Sequence, residues 1–335
     1  MKRTGHHQGR FFIGRTGCVF AIAAAVLAVT QTGCTTNPAT GRSQLNFLKP
    51  DQEIALGAEA MPQLVEEYGG VVPDAQLRSY VEQVGMEMMQ YTEGDSPDLP
   101  WEFTLLDSEV INAFALPGGK VFMSEGLMTM MSNEAQLAGV LGHEIGHVTA
   151  RHINDRMAQA AGVSILGAIA TQVTKDSDYS QLTGVLVGVG GQGYLLKFSR
   201  DQELESDRLG MRYMSRAGYD PAGQLQVMQI LNEAAQASSS LPPEFLSTHP
   251  HPESRIEQVE KLLKTKYAST QNSPEYQMFE ERFQRIARPR LDALDRRRDS
   301  GQVGSLRAIQ DVNAFLAASE LWCGTCRAEA HLANQ

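Results

Sequence analysis

Two histidines stand four residues apart around a glutamate in His143-Glu144-Ile145-Gly146-His147. On a helix, positions i and i+4 share one face a turn apart, so both imidazoles can reach the same divalent cation. Glu144 is turned by about 100° from His143 in the helical repeat, which suits it to hold a water and take its proton. Between Glu134 and Arg151 the only formally charged side chain is Glu144, while Leu137, Val140, Leu141, Ile145 and Val148 point in several directions. A helix that is apolar all round is buried. A lone carboxylate inside it costs several kcal/mol unless it is paired or faces a metal. Gly139, Gly142 and Gly146 each weaken this helix by up to about 1 kcal/mol relative to Ala. Their spacing predicts a second backbone packed against the same face.

Hydrolytic zinc sites take three protein ligands and keep a fourth position for water, so one Zn2+ per chain needs a third ligand here. The segment Ser199-Arg-Asp-Gln-Glu-Leu-Glu-Ser-Asp-Arg-Leu-Gly210 offers two carboxylate pairs at helical spacing, Asp201/Glu205 and Glu203/Asp207. Glu203 and Asp207 continue along their face into Gly210, Met211 and Met214, a stripe with a buried pattern. Asp201 and Glu205 share a face with Arg208, Arg212 and Arg216 and read as a solvated salt-bridge face. The choice is therefore Glu203 as third ligand. Asp207, one turn on, is expected to orient a ligand imidazole or serve as a proton donor.

Four segments in order carry a resemblance: Asn112-Ala-Phe-Ala-Leu-Pro-Gly-Gly119, His143-Glu-Ile-Gly-His147, Glu203-Leu-Glu-Ser-Asp207 and Ser247-Thr-His-Pro-His-Pro-Glu-Ser-Arg255. Together they resemble peptidase family M48, whose members include CAAX-processing and HtpX-type endopeptidases and periplasmic zinc proteases. The resemblance covers residues 35–265. It implies a gluzincin-type fold, zinc on His143, His147 and Glu203, and Glu144 as general base. Asp207 matches the acid that closes the family motif, and Ser206 stands where Ala is usual. It further implies an endopeptidase that hydrolyses unfolded or misassembled envelope proteins in periplasmic quality control, beside the outer-membrane assembly machinery. A chaperone-like assembly or binding factor with little or self-inhibited proteolysis is the alternative. In relatives of this kind the loop bearing His249 can place a histidine on the metal, so His249 is read either as a switch or as a turn and oxyanion residue. His251 is read as a turn residue. His152, about 140° from the ligand face on a continuous helix, is read as structural.

These residues need elements to position them. Helical patterns run over 51–68 and 74–91, then strands over 103–106, 110–116 and 120–123, with Pro117-Gly118-Gly119 as the hairpin turn. The last strand is expected to take substrate by strand addition. Asn133 begins the metal-site helix, whose apolar pattern continues to Met157. Further helices begin near Ser199, Pro221 and Pro252, and the stretch from Glu280 to Arg298 reads as a helix with a solvated face. The fold class is α+β, mostly helical, with a small antiparallel or mixed sheet beside the His-Glu-x-x-His helix.

The organisation expected is a lipoprotein-type signal peptide over 1–33, an extended leader over 34–50, a metallopeptidase domain over 51–266 and a polar helical tail over 267–335. Lys2, Arg3, Arg10 and Arg15 precede an uncharged run from Cys18 to Val29, which is too short to span a bilayer comfortably. Gln31-Thr32-Gly33-Cys34 then resembles a lipobox with an atypical Gln31, marking Cys34 for lipidation; an ordinary secretory signal is the other reading. With Thr35 next, the resemblance places the mature chain on the outer membrane, in the periplasm of a Gram-negative bacterium. Cleavage there leaves 25 basic against 39 acidic residues, a net charge of −14. That balance argues against nucleic acid as a partner. Residues 162–193 are Gly-rich and read as mobile helical flaps. Cys323 and Cys326 read as a disulfide, with a redox pair and half of a zinc site as alternatives.

Overall fold

A computed structural model describes residues 34–161, 197–237, 243–250 and 252–300. The expected signal peptide, the Gly-rich segment 162–193, His251 and the Cys323/Cys326 pair lie outside these residues. No helix among the described residues is long and apolar enough to cross a membrane.

The leader forms a two-stranded antiparallel hairpin, β1 (Cys34–Thr36) with β2 (Ser43–Leu45). It is followed by α1 (Pro50–Glu67) and α2 (Ala75–Met89). Strands β3 (Glu102–Leu106), β4 (Ala113–Leu116) and β5 (Lys120–Ser124) make a mixed sheet in the order β3-β5-β4. β3 runs parallel to β5, with Phe103 opposite Val121. β4 runs antiparallel to β5, with Phe114 opposite Phe122. Gly118 and Gly119 have φ of 75° and 87°, the left-handed conformation that glycine adopts without a Cβ penalty and that closes this hairpin. The expectation that residues 120–123 present a free edge is corrected. β5 is the central strand, with both backbone edges already paired, while β4 has no strand on its outer side among the described residues.

The short α3 (Glu125–Thr129) leads to α4 (Glu134–Thr149), every residue of which is buried. The Asn133 side chain accepts the Gln136 N–H at 3.0 Å and caps its start, and the Gln136 side chain turns back to the Ser132 N–H at 2.7 Å. The helix does not run on to Met157. It stops at Ala150, and Arg151 takes φ 56° before α5 (His152–Ala161) sets off in a new direction. A non-glycine residue in that region costs about 1–2 kcal/mol. The Arg151 guanidinium offsets this by bonding the Glu53 carboxylate at 3.0 Å, Asn46 Oδ1 at 2.6 Å and the Leu48 carbonyl at 2.7 Å.

Helix α6 (Arg200–Arg216) crosses α4 at very close range. A Cβ on Gly142 would lie 3.3 Å from the Gly210 Cα, and one on Gly146 would lie 2.9 Å from the Ser206 carbonyl oxygen. Gly142 and Gly146 are therefore the contact at which α4 and α6 meet. Next come α7 (Ala222–Ala237), α8 (Glu244–Thr248), α9 (Pro252–Lys264), α10 (Glu280–Ile286) and α11 (Arg288–Asp299). The stretch from Glu280 to Arg298 has its solvated face, with Glu281, Arg285, Arg296 and Arg297 exposed, and a buried face opposite it. Phe283, Ala287, Leu291 and Leu294 enter the same core as Leu137, Leu141 and Ile145 of α4. Its charges pair inward as well, Arg282 with buried Glu134, and Arg298 with Glu125 and Asp107.

Candidate metal centre

Helix α4 supplies His143, Glu144 and His147, α6 supplies Glu203 and Asp207, and the residue that ends α8 is His249. His143, His147, Glu203 and His249 are all buried, and one donor atom from each lies within 4.8 Å of the others. His143 Nε2 is 3.0 Å from His147 Nε2 and 3.4 Å from Glu203 Oε2, and His147 Nε2 is 3.4 Å from Glu203 Oε1. His249 Nδ1 is 3.1 Å from Glu203 Oε1 and 3.2 Å from His143 Nε2. On the outer side of the first ring, His143 Nδ1 meets Asp207 Oδ1 at 2.8 Å. All the residues selected from sequence for this chemistry thus converge. Cys34 lies apart in β1.

Arg255, at the first turn of α9, was given no role from sequence and proves central. Its guanidinium is buried between two carboxylates, 2.7 Å from Glu203 Oε2, 2.8 Å from Asp207 Oδ1 and 2.9 Å from Asp207 Oδ2. Burial opposes ionisation of Glu203 and Asp207, yet Arg255 and the neighbouring imidazoles outweigh it and hold both pKa values below the usual carboxylate range. Burial and Arg255 also disfavour a charged His143, but Asp207 and Glu203 prevail and raise it to about 9. Burial lowers His147 well below the ordinary histidine value, which leaves it a neutral donor.

Glu144 is different. It is wholly buried, neither of its oxygens has a hydrogen-bond partner, and burial raises its pKa. His249 Nε2 lies 3.5 Å from Glu144 Oε1. An unpartnered carboxylate beside convergent N and O donors fits a hydrolytic metal site, in which three protein donors hold the ion and the free carboxylate oxygens face water. The site also excludes bulk solvent. The Phe198 ring stacks on His147 with centroids 3.8 Å apart, and the Phe245 ring stacks on His249 at 4.4 Å.

Glu205 was read as part of a solvated face and His152 as turned away from His147, and both placements are corrected. His152 Nδ1 lies 2.8 Å from His147 Nδ1, and its Nε2 lies 3.1 Å from Glu205 Oε2. The angle of 140° holds for a continuous helix, and the break at Arg151 brings His152 to His147. The Arg residues assigned to Glu205 bond elsewhere, Arg212 and Arg216 to Glu93 and Arg208 to Gln258.

Residues 75–263 match the family model described as Peptidase family M48. The beta-barrel assembly-enhancing protease of Escherichia coli is 35% identical over 251 residues, covering 73% of this chain and 48% of that protein. The beta-barrel assembly-enhancing protease of Yersinia pestis is 34% identical over 226 residues, 65% of this chain and 45% of that protein. The mitochondrial metalloendopeptidase OMA1 of Schizosaccharomyces pombe is 34% identical over 232 residues, 68% of this chain and 65% of that protein. The chain spans about half the length of the beta-barrel assembly-enhancing proteases it matches.

Proposed function

The chain belongs to peptidase family M48, and we propose on that premise that it is a zinc-dependent endopeptidase acting on unfolded or misassembled polypeptides. His143, His147 and Glu203 would hold the ion. Zinc bound there supplies a Lewis acid for the scissile carbonyl and lowers the pKa of water to about 7. Glu144 takes the proton of the attacking water as its oxygen adds to the carbonyl carbon, and delivers that proton to the leaving nitrogen as the C–N bond breaks. The observation that carries this reading is the pair of unpartnered, buried Glu144 oxygens beside the convergent donors. Asp207, clamped by Arg255, orients His143 and keeps its outer nitrogen protonated.

His249 stands between Glu203 and Glu144. We read this as a closed resting state in which His249 occupies the position that water and substrate need. Replacing it by Ala then raises cleavage of an unstructured peptide, whereas a fall would assign it to turn or oxyanion stabilisation. The export signal, lipidation at Cys34 and residence in the periplasm at the outer membrane belong to the same proposal, supported by the N-terminal residues and by the similarity to beta-barrel assembly-enhancing proteases. So does a role beside outer-membrane protein assembly.

The test is clearance of an unfolded protein by the purified chain with zinc, beside Glu144→Gln. Loss of a general base lowers such rates by about 10²–10⁴-fold. Equal residual signal in both proteins would favour the binding-factor reading instead.

A further inference from the structure

His147 has two ring nitrogens, and only Nε2 faces His143 and Glu203. For Nε2 to offer a lone pair to a cation, the hydrogen of the neutral ring must sit on Nδ1. The surroundings of Nδ1 dictate that choice. It lies 2.8 Å from His152 Nδ1, and the far nitrogen of His152 lies 3.1 Å from Glu205 Oε2. Glu205 meets Arg42, whose Nε is 3.0 and 3.1 Å from the two carboxylate oxygens and whose outer nitrogen is 2.7 Å from Oε2. The same guanidinium reaches Asp155 at 3.3 Å, which also accepts the Gln44 amide at 3.1 Å.

A carboxylate only accepts, so Glu205 requires the hydrogen on His152 Nε2. His152 is fully buried, and Glu205 takes up its one ring hydrogen. Its Nδ1 is then a lone pair, which accepts from Nδ1–H of His147, and His147 Nε2 is left bare toward the cluster. Each hydrogen bond fixes the direction of the next. His143 receives the same service directly, from Asp207 at 2.8 Å. At His147 Nδ1 the neighbour is instead a second imidazole, which bridges to Glu205.

We propose that Arg42, Glu205 and His152 are positioning residues of the metal site, a carboxylate acting through a bridging imidazole to hold His147 in the Nδ1–H tautomer. This rests on the reading of His147 as a zinc ligand. Its anchor, Arg42, lies in the leader immediately before β2, and its middle members lie on α6 and α5, so three segments of chain meet on one ligand nitrogen.

The test uses the full chain with two readouts. Long-range nitrogen–proton correlation spectra of histidine-labelled, metal-free protein report the tautomer of His147, and competition with a chromophoric chelator reports zinc affinity. The wild type is expected to show Nδ1–H at His147. His152→Phe, which keeps a ring and removes the acceptor, is expected to move that hydrogen to Nε2 and to weaken zinc binding about 10–100-fold. Glu205→Gln is expected to weaken it in the same direction by less, with circular dichroism unchanged. If His152→Phe fails to fold, Glu205→Gln on its part-exposed side chain decides alone. Nε2–H in the wild type, or zinc affinity within twofold of wild type in the folded variants, overturns the proposal. A wild type without zinc affinity would remove the ligand reading, while the tautomer would still decide the relay.

Discussion

Burial turns single side chains into strong statements in this molecule. Arg255 neutralises Glu203 and Asp207 in a place closed to water. Removing one partner of such a cluster leaves charges uncompensated, at about 3–5 kcal/mol. Arg255→Ala is therefore expected to lower the melting temperature of the chelated protein more than that of the zinc-loaded protein, since the ion restores part of the positive charge. Equal losses in both states would detach Arg255 from the metal site. Glu53 makes a statement about pH. Burial outweighs its pairing with Arg151 and raises its pKa to about 7. A carboxyl that holds its proton more tightly when folded stabilises the fold at low pH, and that contribution is lost as pH rises through about 7. Glu53→Gln should therefore gain about 1–3 kcal/mol relative to wild type between pH 5 and pH 8, measured by urea unfolding at both values. At this scale the sequence was legible where helical spacing places donors on one face, as for His143, His147, Glu203 and Asp207. It was silent on Arg255, one charge among several on α9, whose carboxylate partner Asp207 is 48 residues away.

Between elements, the decisive contact is that of α4 with α6, where backbone meets backbone at Gly142, Gly146, Ser206 and Gly210. Gly146→Ala gains up to about 1 kcal/mol of helix propensity. Its Cβ nevertheless meets the Ser206 carbonyl oxygen at 2.9 Å, and neither helix can yield cheaply. We expect a net loss of about 1–3 kcal/mol in denaturant unfolding, with weaker zinc binding, because the two helices that carry the ligands are forced apart. This approach was foreseeable from Gly142 and Gly146 in one buried helix, whereas Gly139 of the same set meets Gln224 of α7. The central position of β5 and the break at Arg151 were not. Strand order depends on pairing with β3, and the left-handed turn depends on Glu53, Asn46 and Leu48, all of which are remote in sequence.

Across the whole molecule, the ends of the described chain are part of the machine. The leader hairpin fastens to the end of α4 through Asn37 on the Thr149 carbonyl at 2.9 Å and Gln44 on the Ala150 carbonyl at 2.5 Å. At the other end Phe283 is fully buried against the α4 core. Polarity hid this, because the apolar positions of 280–299 are few and each is flanked by charge. Phe283→Ala is expected to cost about 3–5 kcal/mol of global stability by chemical denaturation, and a loss under 1 kcal/mol would mean that the segment is a detachable tail.

The central claim is that two imidazoles from one helix and a carboxylate from another hold a single zinc ion. X-ray absorption at the zinc edge of the chain loaded with one equivalent addresses it directly. The account predicts a shell of nitrogen and oxygen only, with imidazole scattering and Zn–N distances of about 2.0–2.1 Å. A sulfur shell at about 2.3 Å, placing the ion on cysteine, would contradict it.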